Sequence, residues 1–243
     1  MLTCPICGEL ITKPNSCIAI DPTLKTHVDV LYAYQVGAMP PFLARIRSAD
    51  RRLIKKYLSG YQSVLEIGAA NGWLTHQLAQ NHHVLALDYS DHPITGLGAK
   101  GAWHTLQMDL TDLSIFPDGQ FDALVINHGL HLFPNPVQYV QQSQRLIRPG
   151  GCIILLNLIF HCNPQRRIEQ LLKQATQFEA RHHVPYLINP SRGYLDGEDR
   201  TQFQKIGFKI RPYFVMWRAW LKSHIQSTAP LYCYGIYHLT THN

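Results

Sequence analysis

Residues 64–74 constrain the fold more than any other part of the chain. An apolar run that contains Glu66 leads into a turn of small residues, and a helix is predicted to begin near Trp73. A second apolar run follows and ends in Asp88. A strand, a glycine-rich turn, a helix and a second strand that ends in an acid are typical of a parallel sheet that binds an adenosine-containing cofactor. The second acid can accept hydrogen bonds from ribose hydroxyls.

The spacing of the small residues indicates which cofactor is bound. Dinucleotide sites use G-x-G-x-x-G, with a pyrophosphate at the helix N-terminus. Here Gly68, Ala70 and Gly72 alternate with other residues, and Glu66 precedes them. A carboxylate beside the turn repels a pyrophosphate but suits a cofactor with a positive charge and an amino group. The segment resembles motif I, E/D-x-G-x-G-x-G, of the class I S-adenosylmethionine-dependent methyltransferases, with Ala70 where glycine is usual.

The resemblance continues in the family's order through three further segments. Met108-Asp109-Leu110 follows a third apolar run, residues 121–127 begin with the family's Phe-Asp pair, and residues 145–151 resemble its L-K/R-P-G-G turn. The subgroup that the chain most resembles methylates small metabolites. The resemblance implies an α/β fold with a Rossmann-like, seven-stranded methyltransferase sheet and helices on both of its faces.

The resemblance also implies the residues that bind S-adenosylmethionine. Backbone groups of the motif turn should line the methionine portion, with Glu66 beside its amino group. Asp88 should bind the ribose, Tyr89 should lie against the adenine, and Asp109 should accept from the adenine amino group. The full set is Glu66, Gly68, Ala70, Gly72, Asp88, Tyr89, Asp109, Leu110 and Asn127.

The acceptor side of the site is less constrained by sequence. Asn127 ends the fourth strand and is expected to face the methyl donor. His128 and His131 follow it, and either could remove a proton, because histidine titrates close to neutral pH. The alternative is that both are structural, hydrogen-bonded histidines.

The first 30 residues form a separate, cysteine-rich segment. Cys4 and Cys7 belong to a C-P-x-C-G knuckle, and Cys17 supplies a third thiolate. Tetrahedral zinc needs a fourth ligand, for which His27 and Asp21 are the candidates. We predict a structural zinc module in residues 1–30; the alternative is three free thiols.

The remainder, residues 31–243, is predicted to be the methyltransferase domain. Residues 158–195 exceed what a simple crossover needs, and we expect them to form a lid or a wall of the acceptor pocket. A helix over residues 42–58 has one apolar and one basic side. The basic side is either a solvated surface or an RNA backbone contact.

Composition limits the class of protein. The chain has 243 residues, 46% of them hydrophobic, and a formal net charge of +6, which is compatible with RNA but not diagnostic of it. The longest apolar run is too short to span a bilayer, so we expect a cytoplasmic protein that does not bind membranes. The main hypothesis is a small-molecule methyltransferase that acts on an O, N or C nucleophile. The alternatives are a zinc-containing ribosomal RNA base methyltransferase, whose relatives also begin with a C-P-x-C module, and a non-catalytic cofactor-binding protein.

Overall fold

One mixed β-sheet organises the protein. A computed structural model describes residues 16–34, 41–98, 103–226 and 229–240, and in these ranges the sheet has nine strands. They are β1 (Ser16–Ala19), β2 (Ser63–Ile67), β3 (His83–Asp88), β4 (His104–Met108), β5 (Phe121–Asn127), β6 (Ile147–His161), β7 (Leu195–Asp196), β8 (Lys209–Pro212) and β9 (Pro230–His238).

The strand order is β1-β4-β3-β2-β5-β6-β9-β8, with β7 paired to β6. Neighbours from β1 through β6 run parallel, and β9 is antiparallel to both β6 and β8. The expected count of seven strands is therefore wrong by two. The sequence pattern misses β1 and β7 because four and two residues are too few to establish an alternation.

Seven α-helices lie among the described residues. They are α1 (Pro22–Tyr34), α2 (Pro41–Tyr57), α3 (Trp73–Leu78), α4 (Pro136–Ser143), α5 (Gln165–His182), α6 (Gly197–Lys205) and α7 (Trp217–Ile225). No helix in the described ranges combines the length and the apolar character that a membrane crossing requires.

Alternation along the strands builds a core on each face of the sheet. In β2, Leu65 faces a cluster that includes Val28 of α1 and Phe203 of α6. Its neighbour Val64 faces the opposite cluster, which includes Leu58 just after α2. Because successive strand residues point to opposite faces, helices cover both sides of the sheet, as predicted.

The chain after residue 15 is part of this sheet. β1 pairs in parallel with β4 at the sheet edge, and α1 buries Val28 and Leu31. The predicted boundary at residue 30 thus falls inside α1. Cys4 and Cys7 lie outside the described residues, and Cys17 lies in β1.

The chain leaves the sheet after the four residues of β8. β8 ends at Pro212, and residues 214–225 form a 3₁₀ turn followed by α7. The chain turns there because the Tyr213 ring is buried beside Ile46 of α2, and the Met216 N–H donates to the Tyr213 carbonyl.

Candidate active site

The carboxyl ends of β2, β3 and β5 form the candidate site. Parallel neighbours end at the same edge of a sheet, so the residues that follow these strands converge there. The motif turn follows β2, Asp88 ends β3 and Asn127 ends β5. The predicted cofactor residues that are far apart in sequence are thus brought to one edge.

The turn after β2 adopts a left-handed backbone at three positions. The φ angles of Gly68, Ala70 and Gly72 are 75°, 48° and 72°. Glycine adopts this region freely, whereas an L-residue there costs about 1 kcal/mol. Ala70 accepts this strain where the family has glycine, and its N–H donates to Asp88 Oδ2 at 2.7 Å.

The two glycines of this turn have different surroundings. A Cβ added to Gly68 would meet nothing within 4 Å, whereas a Cβ added to Gly72 would lie 2.7 Å from Trp103 Cζ2. Gly68 therefore leaves open space where a ligand can approach the backbone. Gly72 allows close packing of the indole ring.

Glu66 is a buried carboxyl group with an unused oxygen. The residue is 1% exposed, and its Oε2 atom has no hydrogen-bond partner. Burial raises the pKa of Glu66 to about 8, and the nearby charge of Asp88 acts in the same direction. Such a group is costly to ionise without a cationic partner.

Asp88 is held by groups of the protein itself. Besides the Ala70 N–H, it accepts hydrogen bonds from the Tyr32 hydroxyl of α1 and, at 3.3 Å, from the Ser90 N–H. Burial raises the pKa of Asp88, and these donors oppose the shift. Tyr32 thus occupies one oxygen of the carboxylate that is expected to bind the ribose.

The loop after α5 contacts Tyr89, the residue that is expected to lie against the adenine. The Asn189 side-chain amide donates to the Tyr89 hydroxyl at 2.8 Å. Asp109 accepts from the backbone N–H and hydroxyl of Thr111 at 2.9 and 2.7 Å, and Leu110 is buried in the core. We predicted that residues 158–195 form a lid or a wall of the acceptor pocket. Of these residues, the loop after α5 contacts Tyr89.

The two predicted catalytic histidines differ in position. Their rings lie 5.0 Å apart, but His128 lines the cavity described next, and His131 does not. The surrounding protein lowers the pKa of His128, although the ring is exposed within the concave site. Burial lowers the pKa of His131 to about 3, which makes it the weaker base.

A cavity of about 340 Å³ lies against the motif turn and Asn127. Its lining residues are Leu43, Ile46, Arg47, Asp50, Gly68, Ala69, Ala70, Asn71, Trp73, Leu74, Asn127, His128, Asn157, Ile159 and Tyr232. The surface of the cavity is mainly apolar, and the Arg47 guanidinium lies over the Trp73 ring at 4.6 Å. The cavity therefore extends from the expected methyl-donor end of the site toward α2.

Sequence analysis missed the polar group in the wall of this cavity. Asp50 of α2 is fully buried and accepts hydrogen bonds from Tyr213 and Asn157. Burial raises the pKa of Asp50 to about 6, and these two donors oppose the shift. The sequence does contain a sign of this buried acid. Asp50 is the one acidic residue of α2, and it lies four residues after Ile46, on the apolar side of the helix.

The two candidates for the fourth zinc ligand both contact protein groups. Asp21 Oδ1 accepts from the Thr23 N–H at 2.8 Å at the start of α1, and His27 Nε2 lies 2.7 Å from the Pro185 carbonyl oxygen. Within the described part of the chain, three or more His, Cys, Asp or Glu side chains do not come together as a metal site.

Comparisons with known proteins agree with this geometry. Residues 65–155 match the family described as "Methyltransferase domain". The ubiquinone biosynthesis O-methyltransferase of Xanthomonas oryzae pv. oryzae is 28% identical over 101 residues, which are 39% of this chain and 42% of that protein. The match thus spans less than half the length of this curated relative.

Two solved structures share the fold. The carbon methyltransferase CurJ aligns with a TM-score of 0.55 and 14% identity, over 91% of this chain and 62% of that one. Phosphoethanolamine N-methyltransferase 2 of Haemonchus contortus, in complex with S-adenosylmethionine, aligns with a TM-score of 0.51 and 14% identity, over 79% and 53%. The motif, the strand order and the family match agree that residues 65–155 are similar to a methyltransferase domain.

Proposed function

We propose that the protein transfers a methyl group from S-adenosylmethionine to a small-molecule acceptor. The observation that carries this proposal is the cavity of about 340 Å³ between the motif turn, Asn127 and α2. A concave, mostly apolar cavity with a few polar groups is typical of a small-molecule site. It begins where the methyl donor is expected and continues to α2.

Two features of the site fit S-adenosylmethionine. The unpartnered Oε2 of Glu66 is suited to an ammonium group, and the open space beside Gly68 allows a ligand to approach the backbone. When bound, this cofactor supplies a methyl group on a positively charged sulfur, which a nucleophile can attack in line with the departing sulfur. The protein's main tasks are then alignment and the exclusion of water.

The side chains divide these tasks. Glu66 binds the amino group, and Asp88 binds the ribose, in competition with the Tyr32 hydroxyl. Asn127 and His128 border the methyl-donor end of the cavity. Of the two histidines, His128 is the better placed to accept a proton from a protonated acceptor, because it lines the cavity.

A labelling experiment tests this function. Protein is incubated with methyl-labelled S-adenosylmethionine and either a small-metabolite extract or ribosomal RNA. We expect label in small molecules, and about 100-fold less with Asp88→Ala, which loses the ribose contact. Label found in the RNA alone would contradict the proposed acceptor class, and failure to bind S-adenosylhomocysteine in calorimetry would contradict the cofactor.

The RNA alternative has one supporting observation. The five basic side chains on the polar side of α2 are all exposed: Arg45, Arg51, Arg52, Lys55 and Lys56. An RNA-binding surface would release counterions, so its affinity would fall steeply with salt. A salt-independent result would leave this side as a solvated helix surface.

We also propose structural zinc bound by Cys4, Cys7 and Cys17, with His27 or Asp21 as the fourth ligand. The support is the C-P-x-C-G spacing together with a third cysteine. We expect about one zinc per chain in purified protein, and a loss of most of it with Cys4→Ser or Cys17→Ser. The control is Cys162→Ser, which removes an exposed cysteine far along the chain. Equal zinc content in all three variants would refute the site.

A further inference from the structure

The buried Asp50 carboxylate closes a ring of hydrogen bonds behind the cavity. The Tyr213 hydroxyl donates to Asp50 Oδ1 at 2.6 Å, and Asn157 Nδ2 donates to Asp50 Oδ2 at 3.1 Å. The Asn157 backbone N–H donates in turn to the Tyr213 oxygen at 3.1 Å. Both carboxylate oxygens are thus used by groups from β6 and from the chain after β8.

This ring fixes the orientation of two amides. An ionised carboxylate only accepts hydrogen bonds, so the atom of Asn157 that faces Asp50 must be the nitrogen. The same Nδ2 atom also donates to Asn127 Oδ1. The oxygen of Asn127 therefore faces the ring, and its Nδ2, with two protons, is left for the cavity that Asn127 lines.

Arg47, the other charged residue of the cavity wall, also favours an anionic ligand. Among the described lining residues, Arg47 is the one with a fixed positive charge. The carboxylate of Asp50 is satisfied within the ring and is 0% exposed. The cavity thus offers a cation and a hydrogen-bond donor, and its one carboxylate is not available to a ligand.

We propose that Asp50 is a positioning residue that acts through Asn157 to aim the Asn127 amide nitrogen into the cavity, and that the methyl acceptor is an ionised oxygen nucleophile. This rests on the proposed function and narrows its acceptor class. A lone pair of the bound oxyanion forms the new O–CH₃ bond while the S–CH₃ bond breaks and its electron pair stays on sulfur. The acceptor's proton leaves to solvent before binding, so this step needs no general base.

A pair of probes of matched shape tests the acceptor class. The complex with S-adenosylhomocysteine is titrated with 2,4-dinitrophenolate, which carries an oxyanion, and with 2,4-dinitroaniline, which carries an amino group instead. We expect the phenolate to bind at least about 10-fold tighter, because a donor and a cation face it. Equal or tighter binding of the aniline would overturn the proposal.

The variant Asp50→Asn separates positioning from simple electrostatics. An amide at position 50 can donate as well as accept, so Asn157 and Asn127 lose their single orientation. We expect phenolate affinity and the methyl-transfer rate to fall about 10- to 100-fold, while S-adenosylhomocysteine affinity stays within about 3-fold. If Asp50 acted only by its negative charge, its removal would strengthen anion binding, and that result would overturn the proposal.

The charge-matched control is Asp118→Asn. It removes one negative charge from an exposed side chain paired with Arg145, outside the cavity. Phenolate affinity in this variant should equal that of the wild type. A similar loss in both variants would mean that the effect of Asp50 is not local, and would overturn its assigned role.

The pH dependence of the wild type gives a second measurement if Asp50→Asn fails to fold. Asp50 has a pKa of about 6, so phenolate affinity should fall as the pH drops below 6, when the carboxyl can also donate. The groups that face it are Tyr213, Asn157 and, on its own helix, Arg47. His128 also lines the cavity and contacts Asn157, and its protonation would favour the phenolate, so the pH series is measured in His128→Asn as well. Affinity that rises on acidification would overturn the proposal, whereas failure to bind S-adenosylhomocysteine at all would refute the proposed function itself.

Discussion

Glu66→Gln should lower the affinity for S-adenosylhomocysteine about 100-fold and at the same time stabilise the free protein at alkaline pH. The affinity falls because a buried ammonium group loses its carboxylate partner. The stability rises because glutamine is neutral at every pH, whereas burial raises the pKa of Glu66 from 4.5 to about 8. Calorimetric titration and thermal melts of both proteins measure the two effects.

The sign of the stability effect follows from proton binding. Between pH 4.5 and about 8, the folded state holds a proton on Glu66 that the unfolded state has lost. The stabilisation is full below pH 4.5 and is lost as the pH rises through the folded pKa, at about 1.4 kcal/mol per pH unit. The difference between Glu66→Gln and the wild type should therefore be small at pH 4.5 and grow toward pH 8.

Binding should also expel this proton. A ligand ammonium beside Glu66 favours the ionised form, so binding at neutral pH releases close to one proton from wild-type protein. The binding heat then depends on the ionisation enthalpy of the buffer, and in Glu66→Gln this dependence disappears. Identical heats in phosphate and Tris buffers for the wild type would show that binding does not change the protonation of Glu66, and would contradict this prediction.

Gly72→Ala should destabilise the protein by about 3 kcal/mol, which lowers its melting temperature by about 9 °C. A left-handed φ angle costs an L-residue about 1 kcal/mol, and overpacking against a buried ring adds about 2 kcal/mol. Here φ is 72° and the new Cβ would lie 2.7 Å from Trp103 Cζ2. Thermal and urea unfolding at a fixed pH measure the effect.

Gly68→Ala is the matched control for this prediction. Its φ angle of 75° imposes similar strain, but its Cβ would meet nothing within 4 Å. We expect a loss of about 1 kcal/mol in stability together with weaker binding of S-adenosylhomocysteine. Equal destabilisation by both substitutions would contradict the packing role of Gly72, and Trp103→Phe in the Gly72→Ala background should recover part of its loss.

The sequence predicts the parts of the site that depend on local pattern. Glu66, Asp88 and Asn127 each lie in or end an apolar run, and parallel pairing brings such ends together without further information. The ring of hydrogen bonds that Asp50 closes was not predictable in the same way. Its members belong to α2, β6 and the chain after β8, and only tertiary packing brings them together. Even so, an acid on the apolar side of α2 was visible as an exception.

Asn157 also marks the position in β6 where the alternation of side chains between the two faces of the sheet is shifted by one residue. The pairing with β9 slips between Leu155 and Leu158, and Asn157 has a φ angle of 56°. Before the slip, odd-numbered residues such as Leu155 face the α1 cluster; after it, Leu158 does. This inversion directs Ile159 into the cavity. A strand of the same length without the slip would instead turn Leu158 and Phe160 to that side, so the irregularity at Asn157, as much as the composition of the strand, sets the size of the cavity.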